Sequence, residues 1–346
     1  MRAVRIHVHG GPEALRLEQM NAPLPQPGEV LVAVRAAALN HLDLWVRRGM
    51  PGVPLPVIMG SDGAGVVVMA APDVTDMASG DEVVIQPGVF CGRCPACLAG
   101  RENLCPEFGI LGEDTDGVQA ELVALPRTNL YPKPTGLSFE EASSFGLVFL
   151  TAYQMLVKRA GLQPGETVLV VGGSSGVGAA AIQIAVDLKA RVIATASPGA
   201  KTEFAQAMGA HEVVDHYTDN WHKRVLEIAG PDKVQVVFEH VGAATWGQST
   251  RTLGLGARLV FCGATTGSQV EINLRHTFRK HLSVLGSTMG DRSTFQAVVE
   301  GFNEGRYRPI VDRVFSLDQV AEAHRYLEER RQRGKVVLRM PEPGSA

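Results

Sequence analysis

The chain has 346 residues, of which 45% are apolar and 20% charged, and its formal net charge at pH 7 is −3. This length allows two domains with sizeable cores, and the slight negative charge argues against a general nucleic-acid or membrane-surface binder, which is usually basic. Residues 1–6 lack the apolar core of a signal peptide, and no apolar run reaches the length of a membrane span. We therefore expect a cytoplasmic protein with reduced cysteines.

The first part of the chain has the pattern of antiparallel β-structure. Residues 1–37 alternate short apolar stretches with proline and glycine turns. A glycine-rich loop at Gly60–Gly65 leads into an apolar stretch, and Asp81–Ile85 and Gln119–Leu125 are further predicted strands. These stretches predict a β-rich first domain.

Four of the five cysteines lie close together in the chain. They are Cys91, Cys94, Cys97 and Cys105. Four thiolates gathered by a tight turn and one returning segment are typical of tetrahedral zinc. Disulfides are disfavoured in a cytoplasm, and an iron–sulfur cluster is the remaining alternative. Four thiolates leave no open coordination position, so the pattern predicts one structural zinc ion per subunit in a lobe over residues 91–105.

The second half of the chain alternates strands with helices. A helix is predicted over Ser138–Ala160. Six strands follow, at 167–171, 191–196, 211–215, 234–240, 257–262 and 282–287. This alternation is typical of a doubly wound parallel sheet of the Rossmann type. A last strand, Lys335–Met340, is expected to return to the first domain.

The turn after the first of these six strands has the composition of a dinucleotide-binding turn. Residues 172–178 read Gly-Gly-Ser-Ser-Gly-Val-Gly and open an alanine-rich helix. The free N–H groups and the dipole of a helix N-terminus favour an anion such as a pyrophosphate. The usual G-x-G-x-x-G spacing is not met, because a serine holds the second glycine position. The predicted contacts are Gly173, Ser175, Gly176, Val177 and Gly178.

The cysteine lobe, the Gly60–Gly65 loop, the glycine turn and the terminal Gly334-Lys-Val-Val stretch together resemble the medium-chain dehydrogenase/reductase superfamily. This superfamily includes the zinc alcohol dehydrogenases and the quinone oxidoreductases. The resemblance covers nearly the whole chain and implies an α/β protein. Its parts are a GroES-like, β-rich catalytic domain over 1–148 and 286–346 and a Rossmann domain over 149–285. The resemblance also implies a homodimer or homotetramer that pairs through the edge strand at 282–287.

The positions that hold the catalytic zinc of the alcohol dehydrogenases correspond here to Asn40, Ser61 and Leu147, and none is a good zinc ligand. The proton relay of those enzymes corresponds to Leu42 and Trp45, which cannot replace it. Asn40 instead resembles the residue that quinone oxidoreductases carry at this position. The resemblance therefore implies an oxidoreductase that reduces quinones or α,β-unsaturated carbonyls by hydride transfer without a catalytic metal.

Without a metal, negative charge that develops on the substrate oxygen must be met by hydrogen-bond donors. Asn40 and Ser61 are the candidates, with water supplying the proton. Asp62 either acts through a water molecule or organises its loop. Thr151 resembles a threonine that lies near the nicotinamide in the family, and a packing role in its helix is the alternative.

The expected cofactor is NADPH. An NAD site usually has an acidic residue at the end of the second strand, where it binds the ribose hydroxyls. Here that strand is followed by Ser197, which can donate to a 2′-phosphate, and by Lys201, which can neutralise it. Tyr217 resembles a phosphate-contacting tyrosine of NADPH-dependent reductases. The alternatives are that Lys201 is solvated and that Tyr217 is a packing residue.

Four more residues are assigned to cofactor binding. His41 replaces a basic residue that meets the pyrophosphate in the family, or is structural. Val241 and Cys262 follow or end the fourth and fifth strands, at the edge where such sheets bind ligands. Lys335 either reaches the cofactor or begins its strand in solvent.

Two other functions stay open at this point. One is an NAD(P)-dependent alcohol dehydrogenase with atypical ligands, which the cysteine lobe alone favours. The other is a non-enzymatic NADPH-binding protein, as crystallin-like members of the superfamily suggest. Nucleotide binding without turnover on a panel of quinones and enones would indicate the second.

Overall fold

The computed structural model describes residues 1–341. The strands are β1 (Arg2–Ile6), β2 (Arg16–Gln19), β3 (Glu29–Ala38), β4 (Val57–Ile58), β5 (Asp62–Ala70), β6 (Glu82–Ile85), β7 (Gly88–Val89), β8 (Gly109–Ile110), β9 (Leu122–Pro126), β10 (Leu130–Pro132), β11 (Thr167–Val170), β12 (Arg191–Ala196), β13 (Glu212–Asp215), β14 (Val234–Glu239), β15 (Leu253–Phe261), β16 (Ser283–Gly286), β17 (Val311–Ser316) and β18 (Lys335–Arg339). The α-helices are α1 (His41–Gly49), α2 (Pro95–Leu98), α3 (Phe139–Ser143), α4 (Gly146–Tyr153), α5 (Gly176–Asp187), α6 (Ala200–Ala207), α7 (Trp221–Ala229), α8 (Ala243–Thr252), α9 (Leu274–Arg279), α10 (Arg292–Asn303) and α11 (Val320–Glu328). Among these described residues, no helix is long and apolar enough to cross a bilayer.

The chain forms two compact units. The first is Met1–Leu147 together with the chain from Asp291 onward, and the second is Val148–Gly290. The second unit reaches Gly290 rather than residue 285, because the end of this segment packs on α4. Met289 Sδ lies 4.0 Å from Thr151 Oγ1, and a side chain at Gly290 would clash with Leu150.

The core of the first unit lies against a mixed sheet of seven strands, in the order β10-β6-β5-β3-β18-β17, with β9 also pairing with β3. Side chains alternate between the two faces of β3, and residues on both faces are buried. Val30, Val32 and Val34 are 0–2% exposed and belong to one apolar cluster with Met59 and Leu338. Since β18 pairs with β3, the chain after Asp291 completes this sheet.

The second unit is built on a parallel sheet of six strands, in the order β13-β12-β11-β14-β15-β16. The buried strand β11 pairs with β12 on one side and with β14 on the other. The direction in which the sheet is built reverses between β11 and β14, and ligands bind beyond the carboxyl ends of the strands at such a point. This arrangement confirms the predicted doubly wound sheet.

The helix predicted over Ser138–Ala160 is interrupted in the structure. It divides into α3, α4 and a π-helical segment at Gln154–Arg159. At the break, the hydroxyl groups of Ser143 and Ser144 donate to the carbonyls of Glu140 and Glu141 at 3.0 and 2.7 Å. Such local bonds compete with helix continuation, and a pattern of apolar residues does not reveal them.

Candidate active site

The sheet of the first unit brings three polar residues from distant parts of the chain together. Ala38, the last residue of β3, pairs with Asp62 at the start of β5 and with Val337 in β18. Asn40 follows β3, and Lys335 is the first residue of β18. Asn40, Asp62 and Lys335 therefore lie side by side, and we refer to them as the Asn40–Asp62–Lys335 cluster.

Hydrogen bonds hold this cluster in the interior of the unit. Lys335 Nζ donates to Asp62 Oδ2 at 2.8 Å and to Asn40 Oδ1 at 2.5 Å. Asp62 also accepts from Asn40 Nδ2 at 3.0 Å and from the backbone N–H of Leu147 at 2.6 Å. The Asp62 and Lys335 side chains are 0% and 3% exposed, so each buried charge has its partner, as buried charges require. The alternative that Lys335 begins its strand in solvent is wrong, and its contact with a cofactor stays a prediction.

Asn40 keeps one donor after these contacts are made. An amide carries two N–H donors, and within residues 1–341 the side chain of Asn40 donates only to Asp62. The ammonium of Lys335 on the amide oxygen polarises the group, which strengthens the remaining N–H as a donor. The geometry therefore leaves Asn40 able to bind a substrate oxygen.

Asp43 and Gln119, which were not selected from the sequence, position Asn40 through hydrogen bonds. Asp43 Oδ2 accepts the backbone N–H of Asn40 at 2.6 Å, and Asp43 Oδ1 accepts from Gln119 Nε2 at 3.4 Å. Burial raises the pKa of Asp43 to about 6. An asparagine before a helix with an acidic residue three positions later is a helix-capping pattern, and this signal could have identified Asp43.

Ser61 lies in the loop between Gly60 and β5, and its side chain is buried. The residue is 2% exposed. In the described part of the chain, its hydroxyl has no hydrogen-bond partner. Gly60 has φ +96, and a Cβ there would lie 2.5 Å from Gln119 Cγ, so the loop needs glycine at this position. The hydroxyl of Ser61 is therefore a second donor available in this unit.

The cysteine lobe has the geometry that its spacing predicts. The four Sγ atoms of Cys91, Cys94, Cys97 and Cys105 all lie within 4.8 Å of one another. The Cys91–Cys105 and Cys91–Cys97 distances are 3.5 and 4.0 Å. Tetrahedral zinc with bonds of about 2.3 Å places its sulfur atoms about 3.8 Å apart, whereas a disulfide requires about 2 Å. The thiols therefore fit a tetrahedral metal ion.

Without a metal ion, these thiols differ in acidity. The backbone N–H of Arg93 lowers the pKa of Cys91 to about 7, and burial raises the pKa of Cys97 to about 12. A bound cation is therefore needed to keep the Cys97 sulfur a thiolate at neutral pH.

Replacement of Cys105 by serine should reduce the zinc content from one ion per subunit and lower the melting temperature, because metal binding in such a lobe is coupled to local folding. Each kcal/mol lost corresponds to about 2–4 °C. Hydride transfer per folded subunit should persist. Elemental analysis and thermal unfolding test this, with Cys262→Ala as the control that leaves the zinc content unchanged. A second zinc ion that is lost when Asp62 is replaced would contradict it.

In the second unit, the glycine turn joins β11 to α5. Ser175 caps the helix: its Oγ accepts from the N–H of Gly178 at 3.0 Å and donates to the carbonyl of Gly172 at 2.8 Å. A Cβ at Gly178 would clash with that carbonyl, and one at Gly173 would lie 2.9 Å from Ala194 Cβ. The first N–H groups of α5, at Gly176 and Val177, have no acceptor within a helix. This backbone cradle fits a pyrophosphate.

His240 lies beside this turn and was not selected from the sequence. It follows β14, and its Nε2 lies 3.3 Å from Ser175 Oγ. Burial lowers the pKa of His240, so the ring is neutral near pH 7. The place of His240 in the chain could have identified it. A residue that follows a strand next to the point where the strand order reverses lies at the ligand-binding edge of the sheet.

The predicted residues for a 2′-phosphate lie beyond β12 and β13. Ser197 follows β12, and Lys201 lies in the first turn of α6. Tyr217 follows β13 and is 72% exposed, and its contact with a phosphate stays a prediction. His216, between β13 and Tyr217, was not selected, although its Nε2 lies 3.4 Å from Ser197 Oγ.

The other predicted cofactor residues occupy varied environments. Val241 follows β14, and its backbone N–H donates to Glu239 Oε1 at 2.7 Å. Cys262 follows β15, and burial raises the pKa of its thiol to about 12, which makes it a poor nucleophile. Thr151 is 5% exposed, with its hydroxyl 4.0 Å from Met289 Sδ. His41 is the first residue of α1. Their roles toward a cofactor stay predictions.

Two family models match the chain. The model of the alcohol dehydrogenase GroES-like domain matches residues 26–135, and that of the zinc-binding dehydrogenase matches residues 176–304. The first range contains β3 to β10, and the second contains the chain from α5 to α10.

Individual proteins are similar over almost the whole chain. The acryloyl-coenzyme A reductase of Metallosphaera sedula is 29% identical, over 96% of this chain and 98% of its own. The quinone oxidoreductase of Homo sapiens is 28% identical, over 94% and 93%. A crystal structure of an NAD-dependent alcohol dehydrogenase is 47% identical with a TM-score of 0.96, over 99% and 100%.

These matches agree with the GroES-like sheet, the Rossmann sheet and the cysteine lobe, and they confirm the resemblance found in the sequence. The chain belongs to the medium-chain dehydrogenase/reductase superfamily, and it is an NAD(P)H-dependent oxidoreductase.

Proposed function

We propose that this chain is an NADPH-dependent reductase of quinones or α,β-unsaturated carbonyls that works without a catalytic metal. The observation that carries the proposal is the Asn40–Asp62–Lys335 cluster. It contains a neutral amide donor and an ion pair that is already complete.

The donor chemistry of this cluster does not fit a catalytic zinc ion. Zinc in such enzymes takes three protein ligands from cysteine, histidine or carboxylate side chains. Asn40 and Ser61 offer an amide and a hydroxyl, Leu147 offers no side-chain ligand, and the carboxylate of Asp62 is paired with an ammonium at 2.8 Å. The set instead resembles an oxyanion site, in which positioned donors face developing negative charge.

The bound nicotinamide would supply the hydride, and the protein would orient it and the substrate. The remaining N–H of Asn40 and the hydroxyl of Ser61 would donate to the carbonyl oxygen as negative charge develops there. Lys335 supports this by holding the Asn40 amide oxygen and neutralising Asp62. Burial of these groups lowers the local dielectric, which strengthens each donor. Water would supply the proton that completes the reduction.

The preference for NADPH is supported by the residues after β12 and β13. Ser197 and Lys201 stand where an NAD site has a carboxylate, and the exposed Tyr217 follows β13, the strand that pairs with β12. The similar crystal structure is that of an NAD-dependent alcohol dehydrogenase, so the affinities of this protein for NADPH and NADH must be compared directly.

Replacement of Lys201 by alanine should weaken NADPH binding by about 1–3 kcal/mol, because a charge-assisted bond to the 2′-phosphate is lost. NADH binding should change little. Calorimetric titration of both nucleotides measures the difference, and Lys223→Ala, at an exposed site on α7, is the matched control. Equal losses for NADPH and NADH would remove the phosphate assignment.

The substrate class is tested on a panel of quinones, enones and enoyl thioesters with NADPH. The thioesters are included because one similar protein is an acryloyl-coenzyme A reductase. We expect turnover on an electron-poor carbon–carbon double bond or a quinone and poor turnover of primary alcohols with NADP. Efficient oxidation of alcohols would favour the second candidate function, an alcohol dehydrogenase. The 47% identical structure, which is that of an NAD-dependent alcohol dehydrogenase, supports this candidate. Nucleotide binding without turnover on the whole panel would refute the proposed substrate class.

We also propose that the protein forms a homodimer, alone or within a homotetramer, through the open edge of the parallel sheet. Strand β16 lies at that edge, and among the described strands it pairs with β15 alone. Val284 on β16 is 38% exposed, and Leu274 and Phe278 on α9 are 74% and 66% exposed. An uncovered edge strand with apolar neighbours favours pairing with a second copy.

Light scattering at micromolar concentration should give at least twice the subunit mass, and Val284→Lys should reduce the measured mass. A monomeric mass for the unchanged protein would refute the proposal.

A further inference from the structure

We infer that His216 is a further contact for the 2′-phosphate of NADPH and that it takes up a proton when the phosphate binds. The affinity for NADPH, but not for NADH, is then controlled by pH. This inference rests on the proposed use of NADPH.

The register of two parallel strands places His216 at the phosphate position. Ala196, the last residue of β12, pairs with Asp215, the last residue of β13. Ser197 and His216 are the next residues of the two strands and are therefore neighbours at the ligand-binding edge of the sheet. His216 Nε2 lies 3.4 Å from Ser197 Oγ, so a phosphate that accepts from Ser197 is within reach of the imidazole. The ring of Tyr217 packs edge-on against that of His216, with centroids 4.7 Å apart.

The charges around His216 favour an imidazole that is neutral without the ligand and becomes protonated when the ligand binds. Burial lowers the pKa of His216, the ammonium of Lys201 on α6 lowers it further, and the carboxylate of Asp215 on its own strand opposes this. Asp215 Oδ1 accepts the backbone N–H of Tyr217 at 2.8 Å and caps that turn. Without ligand, the balance therefore favours a neutral imidazole near pH 7.

A 2′-phosphate dianion changes this balance. An anion within about 4–6 Å favours the protonated form of a histidine, and the imidazolium then donates a charge-assisted hydrogen bond to the phosphate. The phosphate itself has a second pKa of about 6 and, if bound as the dianion, can only release protons above that pH. Proton uptake above pH 7 is therefore a signature of the histidine and not of the phosphate.

The decisive measurement is calorimetric titration of the full-length protein at pH 7.5 in buffers of different ionisation enthalpy. We expect net proton uptake with NADPH and with 2′,5′-ADP, and none with NADH. Between pH 6.5 and 8.5 the affinity for NADPH should fall, by at most about tenfold per pH unit, while that for NADH stays level. Equal proton exchange with NADPH and NADH would overturn the inference without the use of any variant.

His216→Gln provides the second test, because glutamine can still bond to Ser197 but cannot carry a charge. We expect the variant to lose the proton uptake and the pH dependence of NADPH affinity, and to bind NADH as before. His7→Gln, at an exposed position in the first unit, is the matched control. If NADPH binds no tighter than NADH at any pH, the proposed cofactor and this inference fail together. If NADPH is preferred and His216→Gln keeps the pH dependence, only the role of His216 fails.

Discussion

Replacement of Lys335 by methionine should lower the free energy of unfolding by about 3–5 kcal/mol, because it leaves a buried carboxylate without its cation. Asp62 is fully buried and its Oδ2 lies 2.8 Å from the ammonium. Methionine fills much of the volume of the lysine stem, so packing is largely kept and the loss reports on charge. Urea unfolding followed by circular dichroism measures the change, provided that the first unit unfolds in one transition.

Two further variants separate this effect from ordinary surface electrostatics. Arg224 on α7 pairs with Glu227 at 3.0 Å, but both side chains are more than 60% exposed, so Arg224→Met should cost at most about 1 kcal/mol. The double variant Asp62→Asn with Lys335→Met removes both charges and should recover part of the stability lost in the single variant. A double variant less stable than Lys335→Met would show that the buried charge is not the cause.

Local patterns in the sequence were sufficient to predict the strands of the second unit. Its inner strands β11, β12 and β14 are largely buried, so they are short, continuous apolar runs with turns between them, and such runs are visible without tertiary information. The cysteine lobe was also predictable, because its four ligands lie within a short segment and their spacing fixes the geometry. The break after α3 was not predicted, because the apolar pattern does not reveal that Ser143 and Ser144 bond to backbone carbonyls there.

The contacts of the candidate site were harder to predict because they join distant segments. Lys335 meets Asn40 and Asp62 only because β18 pairs with β3 after the whole second unit has intervened. The sequence offered cofactor contact or solvent for Lys335; the structure places its side chain in a buried ion pair, which excludes solvent, and the cofactor contact stays a prediction. His216 was missed for a related reason: its proximity to Ser197 follows from the register of β12 against β13, which is a property of the sheet.

The kinetic prediction with the largest expected effect concerns Asn40. If its remaining N–H donates to the substrate oxygen, Asn40→Ala should lower turnover by up to about 10²–10³-fold, the loss typical of one oxyanion donor. The affinity for NADPH should change much less, since Asn40 would act on the charge that develops during hydride transfer. Steady-state kinetics on each accepted substrate, with nucleotide titration beside it, separates the two effects.

The variant also removes the acceptor of Lys335 Nζ, so a structural loss must be separated from a catalytic one. Asn129 is the matched control, because it is 1% exposed in the same unit and its Nδ2 donates to the carbonyls of Gln86 and Gly88 at 2.7 and 2.8 Å. Asn129→Ala should therefore lower stability to a similar extent while folded subunits keep their turnover. Ser61→Ala should lower turnover without loss of stability, since its hydroxyl has no partner within residues 1–341. Unchanged turnover of Asn40→Ala on every substrate would leave the polar cluster a structural ion pair and shift the search for the oxyanion donor to Ser61.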